Sequence, residues 1–251
     1  MLLSEANLDL NNQLTPNKPT QPPAILATNL GKSVGEAENT IEILRQLNLS
    51  VAQGESVAIV GSSGSGKSTL LALLAGLDNP SSGSVAVEGL QFGSLDEDAR
   101  AAVRGKRMGF VFQSFQLLGT MTALDNVMLP LQLANRRDAK QIAIETLAKV
   151  GLADRLTHYP KQLSGGEQQR VAIARAFAPQ PAILFADEPT GNLDIATGER
   201  IIDLLFSLNQ ASNSTLILVT HDEKLAQRCE RVLTLLNGQL SDGQLNNGKP
   251  A

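Results

Sequence analysis

The feature that most constrains this fold is a glycine-rich loop at residues 61–69, with the sequence GSSGSGKST. The apolar run at residues 57–60 predicts a buried strand before the loop, and the leucine-rich run at residues 70–75 predicts a helix after it. The pattern G-x-x-x-x-G-K-[ST] binds phosphate in this strand–loop–helix setting. Glycines let backbone N–H groups converge on phosphate oxygens, and the helix N-terminus adds partial positive charge. The loop therefore predicts a nucleotide-phosphate site.

All nine loop residues are predicted nucleotide contacts. They are Gly61, Ser62, Ser63, Gly64, Ser65, Gly66, Lys67, Ser68 and Thr69. Lys67 is expected to reach the β and γ phosphates, and the Ser68 hydroxyl is expected to ligate Mg²⁺. The alternative is a glycine–serine linker, but a linker would not need Lys-Ser-Thr directly before an apolar helix.

Composition limits the class of protein. The chain has 251 residues, 42% of them hydrophobic, and a formal net charge of −4, so it lacks the overall basic character that favours nucleic-acid binding. We expect it not to cross a membrane alone, because its apolar runs fall short of the roughly 20 residues that a spanning helix needs. Its single cysteine, Cys229, excludes an internal disulfide and is expected to fill space in the core.

Boundaries follow from breaks in the pattern. Residues 1–23 are rich in Asn, Gln and Pro and predict a disordered tail, and residues 241–251 predict a flexible one. Short strands are predicted at residues 25–27 and 41–51, with a turn region at residues 31–39 between them. A further buried strand at residues 108–112 would place Gln113 at its end.

Residues 120–178 differ in character, because apolar residues there recur at helical spacing. Helices are predicted at residues 122–134 and 138–150, and a third follows the sequence LSGGEQQR at residues 163–170. Ser164 is a good N-cap, and Glu167 completes a capping box. A well-capped helix alone would not explain the adjacent Gly165 and Gly166, which leave backbone N–H groups open to an anion.

Taken in order, these segments resemble those of ATP-binding cassette (ABC) ATPases. Residues 163–170 match the family signature, residues 182–188 (AILFADE) resemble its Walker B strand, and residues 192–194 (NLD) resemble its D-loop. The resemblance covers about residues 25–240. Within the family, the glycine-rich loop and residues 110–115 and 186–194 look most like the lipoprotein-release and macrolide-export branch.

The resemblance implies a role for each polar residue at a predicted strand end. Gln113 corresponds to the Q-loop glutamine, with both catalytic and metal-binding roles, and His221 to the switch histidine. Asp187 would hold Mg²⁺ directly or through water, and Glu188 would orient and deprotonate the attacking water. Together with Lys67, these residues form the predicted catalytic centre.

The family also implies a shared site. In it, the signature of one subunit covers the nucleotide of the other, so Ser164, Gly165 and Gly166 would contact the ATP of a two-fold-related partner. Asp194 of the D-loop is a further predicted nucleotide contact. Val34 lies where the family commonly stacks an aromatic ring on adenine, and we expect weak base discrimination from this substitution.

The resemblance implies an α/β fold over residues 24–240: a P-loop NTPase with a RecA-like core, an antiparallel β subdomain and an inserted helical subdomain at about 120–178. The expected function is that of the ATP-hydrolysing subunit of an ABC transporter. It would be a homodimer that drives integral-membrane permease subunits from the cytoplasmic face of the inner membrane, for export or release of envelope substrates, without binding nucleic acid.

The sequence disfavours two other functions. A soluble ABC protein of DNA repair or translation is disfavoured, because the chain carries neither coiled-coil or zinc insertions nor a second cassette. A P-loop GTPase or small-molecule kinase is disfavoured by the signature motif and by the lack of a guanine-reading Asn-Lys-x-Asp.

Overall fold

The structure, a computed structural model, describes residues 21–35 and 40–242, which form two β-sheets. The smaller sheet is antiparallel, with strands β1 (Ile25–Val34), β2 (Ile41–Val51), β4 (Ser82–Val87) and β5 (Leu90–Gln91) in the order β2-β1-β4-β5. The larger contains β3 (Ser56–Val60), β6 (Met108–Phe112), β7 (Ile183–Asp187), β8 (Thr215–Val219), β9 (Arg231–Leu236) and β10 (Gln239–Asp242). Its order is β10-β9-β3-β8-β7-β6, and its pairs are parallel except for the antiparallel β9–β10 pair.

Helices surround the larger sheet. The α-helices of the described residues are α1 (Lys67–Leu74), α2 (Glu97–Arg107), α3 (Ala123–Leu133), α4 (Ala139–Lys149), α5 (Gly165–Phe177), α6 (Ile195–Ser212) and α7 (Glu223–Ala226). None of these has the combination of length and apolarity that a membrane span requires.

The central strands are buried on both faces, which explains their continuous apolar sequences. In β3, Val57 and Ile59 pack into the core shared with the antiparallel sheet and α1, whereas Ala58 and Val60 pack into the core on the opposite face with α5 and α6. This alternation is the two-residue period of a strand. Cys229 is buried in the second core as expected, and burial raises the pKa of its thiol to about 12.

Helices α3, α4 and α5 enclose a third core, within the segment predicted to be a helical subdomain. The first two helices lie where helical spacing predicted them, with Thr122 as the N-cap of α3. Asn126 is 1% exposed and joins α3 to the segment after β6. Its amide nitrogen donates to Leu118 O, Met121 O and Thr122 O, and its Oδ1 accepts from Leu118 N at 2.8 Å.

Two predicted boundaries differ from those in the structure. The predicted turn region at residues 31–39 starts too early in the sequence, because β1 continues to Val34, which pairs with Ile41 of β2. The cross-strand pairing, interrupted by irregularities in register, extends a strand that the sequence pattern had ended at residue 27. At the other end, β10 includes Ser241 and Asp242, which had been assigned to the C-terminal tail. Apart from residues 21–23, 241 and 242, the two predicted tails lie outside the described residues.

Candidate nucleotide site

The glycine-rich loop connects β3 to α1, as its flanking sequence predicted. The Lys67 side chain folds back over the loop, and its Nζ donates to Gly61 O at 2.8 Å and to Ser62 O at 2.9 Å. Gly66 is the N-cap of α1 with φ 99°, a left-handed conformation that favours glycine. A Cβ at Gly61 would lie 2.5 Å from Leu235 O, so only glycine fits there. The loop is thus closed around its own lysine amine, at the N-terminus of a helix.

Asp187 and Ser68 form a candidate cation site beside the loop. Asp187 ends β7, and burial raises the pKa of its carboxyl group, while a hydrogen bond from the Ser68 hydroxyl and the charge of Lys67 act in the opposite direction. Within the described part of the chain, Asp187 Oδ1 is buried and has no hydrogen-bond partner. A desolvated carboxylate oxygen next to a hydroxyl suits a hard divalent cation, because Mg²⁺ prefers oxygen ligands. These residues fit the predicted metal.

Glu188 and His221 meet at the same edge of the sheet, one residue beyond β7 and two residues beyond β8. His221 Nδ1 lies 2.8 Å from Glu188 Oε2, and the Glu188 side chain is 17% exposed whereas that of His221 is 72% exposed. Glu188 adopts φ 47°, an uncommon conformation for a non-glycine residue, and its N–H donates to Val219 O at 2.9 Å. The Glu188 backbone is therefore held against β8, and its carboxylate contacts a histidine that is open to solvent.

Gln113 directly follows β6, and its amide connects it to Asn192. Gln113 Nε2 donates to Asn192 Oδ1 at 3.3 Å, and Asn192 Nδ2 donates to Gln113 O at 2.9 Å. A Cβ at Gly191 would lie 2.7 Å from Gln113 Nε2, so the loop after β7 packs closely on this glutamine. Asn192 occurs in the predicted D-loop, but it was not among the predicted site residues.

These groups line one cleft of about 630 Å³. Its lining residues are Ile43, Ser63, Gly64, Gly66, Lys67, Ser68, Thr69, Gln113, Asp187, Glu188 and His221. The carboxyl ends of β3, β6, β7 and β8 thus bring the predicted phosphate, metal and catalytic residues together. Ile43 was not among the predicted site residues; the signal for it is that β2 pairs with β1, the strand that carries Val34.

Comparison with known proteins decides the family. The model of the ABC transporter family matches residues 44–191. The chain is 57% identical over 215 residues, 85% of its length and 94% of the relative's, to the uncharacterized ABC transporter ATP-binding protein YbbA of Escherichia coli (strain K12). It is 49% identical over 213 residues, 84% of its length and 94% of the relative's, to the lipoprotein-releasing system ATP-binding protein LolD of Legionella pneumophila (strain Lens). The chain belongs to the ABC transporter family.

Solved structures agree with this assignment. The ATP-binding cassette MJ0796, in a dimeric post-hydrolysis state bound to ADP and Pi, superimposes with a TM-score of 0.80 at 40% identity, covering 87% of this chain and 98% of that one. A second dimeric structure of MJ0796 gives the same TM-score at 41% identity. The chain is therefore an ABC ATPase: an α/β P-loop NTPase that binds and hydrolyses ATP.

In this ABC cassette the signature residues do not line the cleft of their own chain. Ser164 caps α5, accepting from Glu167 N at 3.3 Å, and the Glu167 carboxylate accepts from Ser164 N at 2.8 Å. The hydrogen bonds from the Ser164 backbone and side chain, with that from Arg155, lower the pKa of Glu167 to about 2. The capping box predicted from sequence is confirmed.

The two signature glycines pack against the D-loop and the first turn of α6. A Cβ at Gly166 would lie 2.6 Å from Thr197 Cγ2, and one at Gly165 would lie 3.3 Å from Leu193 Cδ2. Close packing therefore accounts for Gly166 within one chain, which the sequence could not indicate. Asp194 is the N-cap of α6, where hydrogen bonds from Thr197 lower its pKa, and it too lies outside the cleft lining.

Val34 ends β1, and 43% of it is exposed. It is not among the residues that line the cleft, and Ile43 of the neighbouring strand β2 is the apolar residue found there. The Cγ2 atom of Ile43 would lie 3.0 Å from a Cβ at Gly66, so this side chain packs directly on the glycine-rich loop. A role for Val34 at the base remains a prediction.

Proposed function

We propose that this ABC ATPase hydrolyses ATP with Glu188 as the general base. The observation that carries the proposal is the 2.8 Å contact between Glu188 Oε2 and His221 Nδ1 in the cleft that also contains Lys67 and Asp187. Glu188 would accept the proton of the attacking water, which suits a carboxylate held by backbone geometry at the mouth of a phosphate site. His221 would orient Glu188 or the γ phosphate.

Lys67, Ser68, Asp187 and Gln113 complete the chemistry. Lys67 would leave its carbonyl partners for phosphate oxygens, and backbone N–H groups of residues 61–69 would surround the phosphate chain. Ser68, Asp187 and Gln113 would hold Mg²⁺, which when bound offsets negative charge on the phosphates. The Oδ1 of Asp187 supports this assignment, because it is buried and has no hydrogen-bond partner among residues 21–35 and 40–242.

The signature start would act on the nucleotide of a second copy. Ser164, Gly165 and Gly166 present the N-terminus of a 13-residue helix but do not reach the cleft of their own chain. Two-fold symmetry allows each copy to offer this helix start to the other. The solved structures of MJ0796 are described as dimeric, which supports a homodimer around two ATPs, with Asp194 near the shared surface.

The dimer would drive separate integral-membrane permease subunits from the cytoplasmic face of the inner membrane. The relative LolD is named for a lipoprotein-releasing system, and this supports export or release of an envelope substrate. The permease, rather than this chain, would contact that substrate.

Replacement of the general base tests the proposal. Glu188→Gln should lower ATP turnover by about 10²-fold or more, because the amide cannot accept the proton, while ATP binding persists and the ATP-bound dimer accumulates. Phosphate release and size-exclusion chromatography with ATP measure these effects. Glu230→Gln, an exposed glutamate before β9, is the control and should behave as wild type. Near-normal turnover of Glu188→Gln would contradict the assignment of Glu188 as the general base.

A further inference from the structure

Gln169 is a fully buried polar residue outside the cleft. It lies in α5, is 0% exposed, and its Nε2 donates to Pro189 O at 2.6 Å. Pro189 directly follows Glu188. The other end of the amide, Gln169 Oε1, is buried and has no hydrogen-bond partner in the described part of the chain. An unpaired buried oxygen is costly, so retention of an amide here calls for an explanation.

The orientation of the amide follows from its partner. Pro189 O is an acceptor, so only the NH₂ end of Gln169 can face it favourably. An apolar side chain of similar length would leave the carbonyl unpaired. The contact therefore needs a side-chain donor at this position.

The contact falls on the turn that sets the direction of the Glu188 side chain. Glu188 has φ 47°, its N–H donates to Val219 O at 2.9 Å, and its carbonyl accepts from Gly191 N at 3.0 Å. The first of these bonds attaches the turn to β8, and the second closes the turn between Glu188 and Gly191. Gln169 adds an anchor from α5, a separate element, at the next peptide group. An uncommon backbone conformation persists when the surrounding structure over-determines it.

We propose that Gln169 is a positioning residue for Glu188, acting through the Pro189 carbonyl. This inference rests on the proposed function, in which Glu188 is the base. Gln169 lies five residues after Ser164 on the same rigid helix, so Glu188 is placed relative to the helix whose start meets the nucleotide of the partner copy. The same helix would thus serve both ATP sites.

Two apolar variants test the inference. Gln169→Met and Gln169→Leu both remove the donor, and each should lower kcat about tenfold, since a small displacement of a catalytic group is enough for such a loss. The KM for ATP should stay within about twofold, because no group that binds ATP is changed. A defect in folding or in ATP binding would instead change KM or the amount of active protein. Steady-state phosphate release against ATP concentration separates the two constants.

An exposed glutamine supplies the control. Gln210 lies on α6, outside both the cleft lining and the signature. Gln210→Met should retain the wild-type kcat. Thermal unfolding of every variant establishes that it is folded, and Gln169→Leu serves if Gln169→Met is not.

A double variant identifies the residue through which Gln169 acts. Glu188→Gln with Gln169→Met should have the residual turnover of Glu188→Gln alone, because a positioning residue has no effect once its target is gone. A further loss in the double variant, or a wild-type kcat in folded Gln169 variants, would overturn the inference. Normal turnover of Glu188→Gln alone would instead overturn the proposed function, so the two failures are distinguishable.

Discussion

The P-loop cleft and the signature helix start differ in how their residues are gathered. The cleft brings together Lys67, Asp187, Glu188 and His221, from segments far apart in sequence, because parallel strands of one sheet end at one edge. The signature start presents residues adjacent in sequence and lies outside that cleft. Sheet topology can therefore assemble half of the proposed site within one chain, whereas the other half depends on a partner.

Electrostatics separates the same two regions. In the cleft, burial raises the pKa of Asp187, which marks a carboxylate whose charge lacks full compensation from the protein. At the signature start, hydrogen bonds from Ser164 lower the pKa of Glu167 to about 2, so that charge is already satisfied. The cleft is thus prepared for an added cation, whereas the helix start is already stabilised internally by its capping box.

The strongest test of this division is a bulky charge at the helix start. Ser164→Arg should lower ATP turnover by about 10²-fold, as loss of a key electrostatic group does, because the arginine would occupy the place of the partner's phosphate. ATP binding to the monomer should persist, since the cleft is unchanged. Calorimetry and phosphate release measure the two properties.

A mixture of two variant chains tests whether the cleft and the signature start act on the same ATP from different subunits. Lys67→Ala should weaken nucleotide binding in its own cleft but leave its signature start intact. A mixture with Ser164→Arg contains heterodimers with one intact composite site, so it should exceed either variant alone, approaching about a quarter of wild-type sites under random pairing. Turnover equal to the mean of the separate variants would show that each chain works alone.

A smaller effect is expected where the cleft joins the helical subdomain, because we expect the exposed apolar side chain of Leu118 to contact the permease. Leu117 packs into the helical core, whereas Leu118 is 45% exposed with its backbone fixed by Asn126. Leu118→Glu should weaken recovery with the permease in membrane preparations about tenfold, as loss of an apolar anchor does, without changing the ATPase activity of the isolated chain. Leu133→Glu, at a residue 77% exposed on the same subdomain, is the control. Normal recovery of Leu118→Glu would place the permease contact elsewhere.

The sequence predicted the cleft better than its surroundings. The positions of Gln113, Asp187 and His221 could be predicted because buried strands have strong apolar patterns. In each case the polar residue lies at the strand end or within two residues of it. The Asn192 contact with Gln113 and the packing of Gly166 on Thr197 could not, because they join segments whose separation is fixed only by tertiary structure.

The extension of β1 illustrates the same limit. Residues 31–34 have a glycine and polar residues that indicate a turn, yet pairing with β2 holds them in a strand. Cross-strand contacts decide such a segment more than its own composition does. The buried amide of Gln169 was likewise undetectable, because its importance depends on the Pro189 carbonyl 20 residues away in sequence.

A substitution at Val34 tests how the cleft binds the base of the nucleotide. Aromatic stacking on a base contributes about 1–3 kcal/mol, so Val34→Tyr should tighten ATP binding about fivefold or more if its ring reaches the base. The wild type should discriminate weakly between ATP and GTP, because Val34 and Ile43 offer aliphatic contact. Calorimetry with both nucleotides measures this, and Leu90→Tyr, at a residue 42% exposed, is the control. Strong adenine preference in the wild type, with no gain from tyrosine, would show that other groups hold the base.

The smallest expected effect concerns the helix start itself. The folded-state pKa of Glu167 is about 2, below the ordinary value of 4.5, so its charged form stabilises the folded chain. That contribution is fully present above the unfolded-state pKa and is lost as the pH falls through the folded-state value.

Glu167→Gln retains an amide oxygen for Ser164 N but removes the charge, and should lower the free energy of unfolding by about 1 kcal/mol at neutral pH. Urea unfolding should show this difference shrink between about pH 5 and pH 2, because residue 167 titrates there only in the wild type. Glu199→Gln, an exposed glutamate on α6, controls for the general loss of a negative charge. A constant difference between wild type and Glu167→Gln across that range would mean that packing rather than charge stabilises the cap, and that the signature start is not electrostatically prepared before it meets a partner.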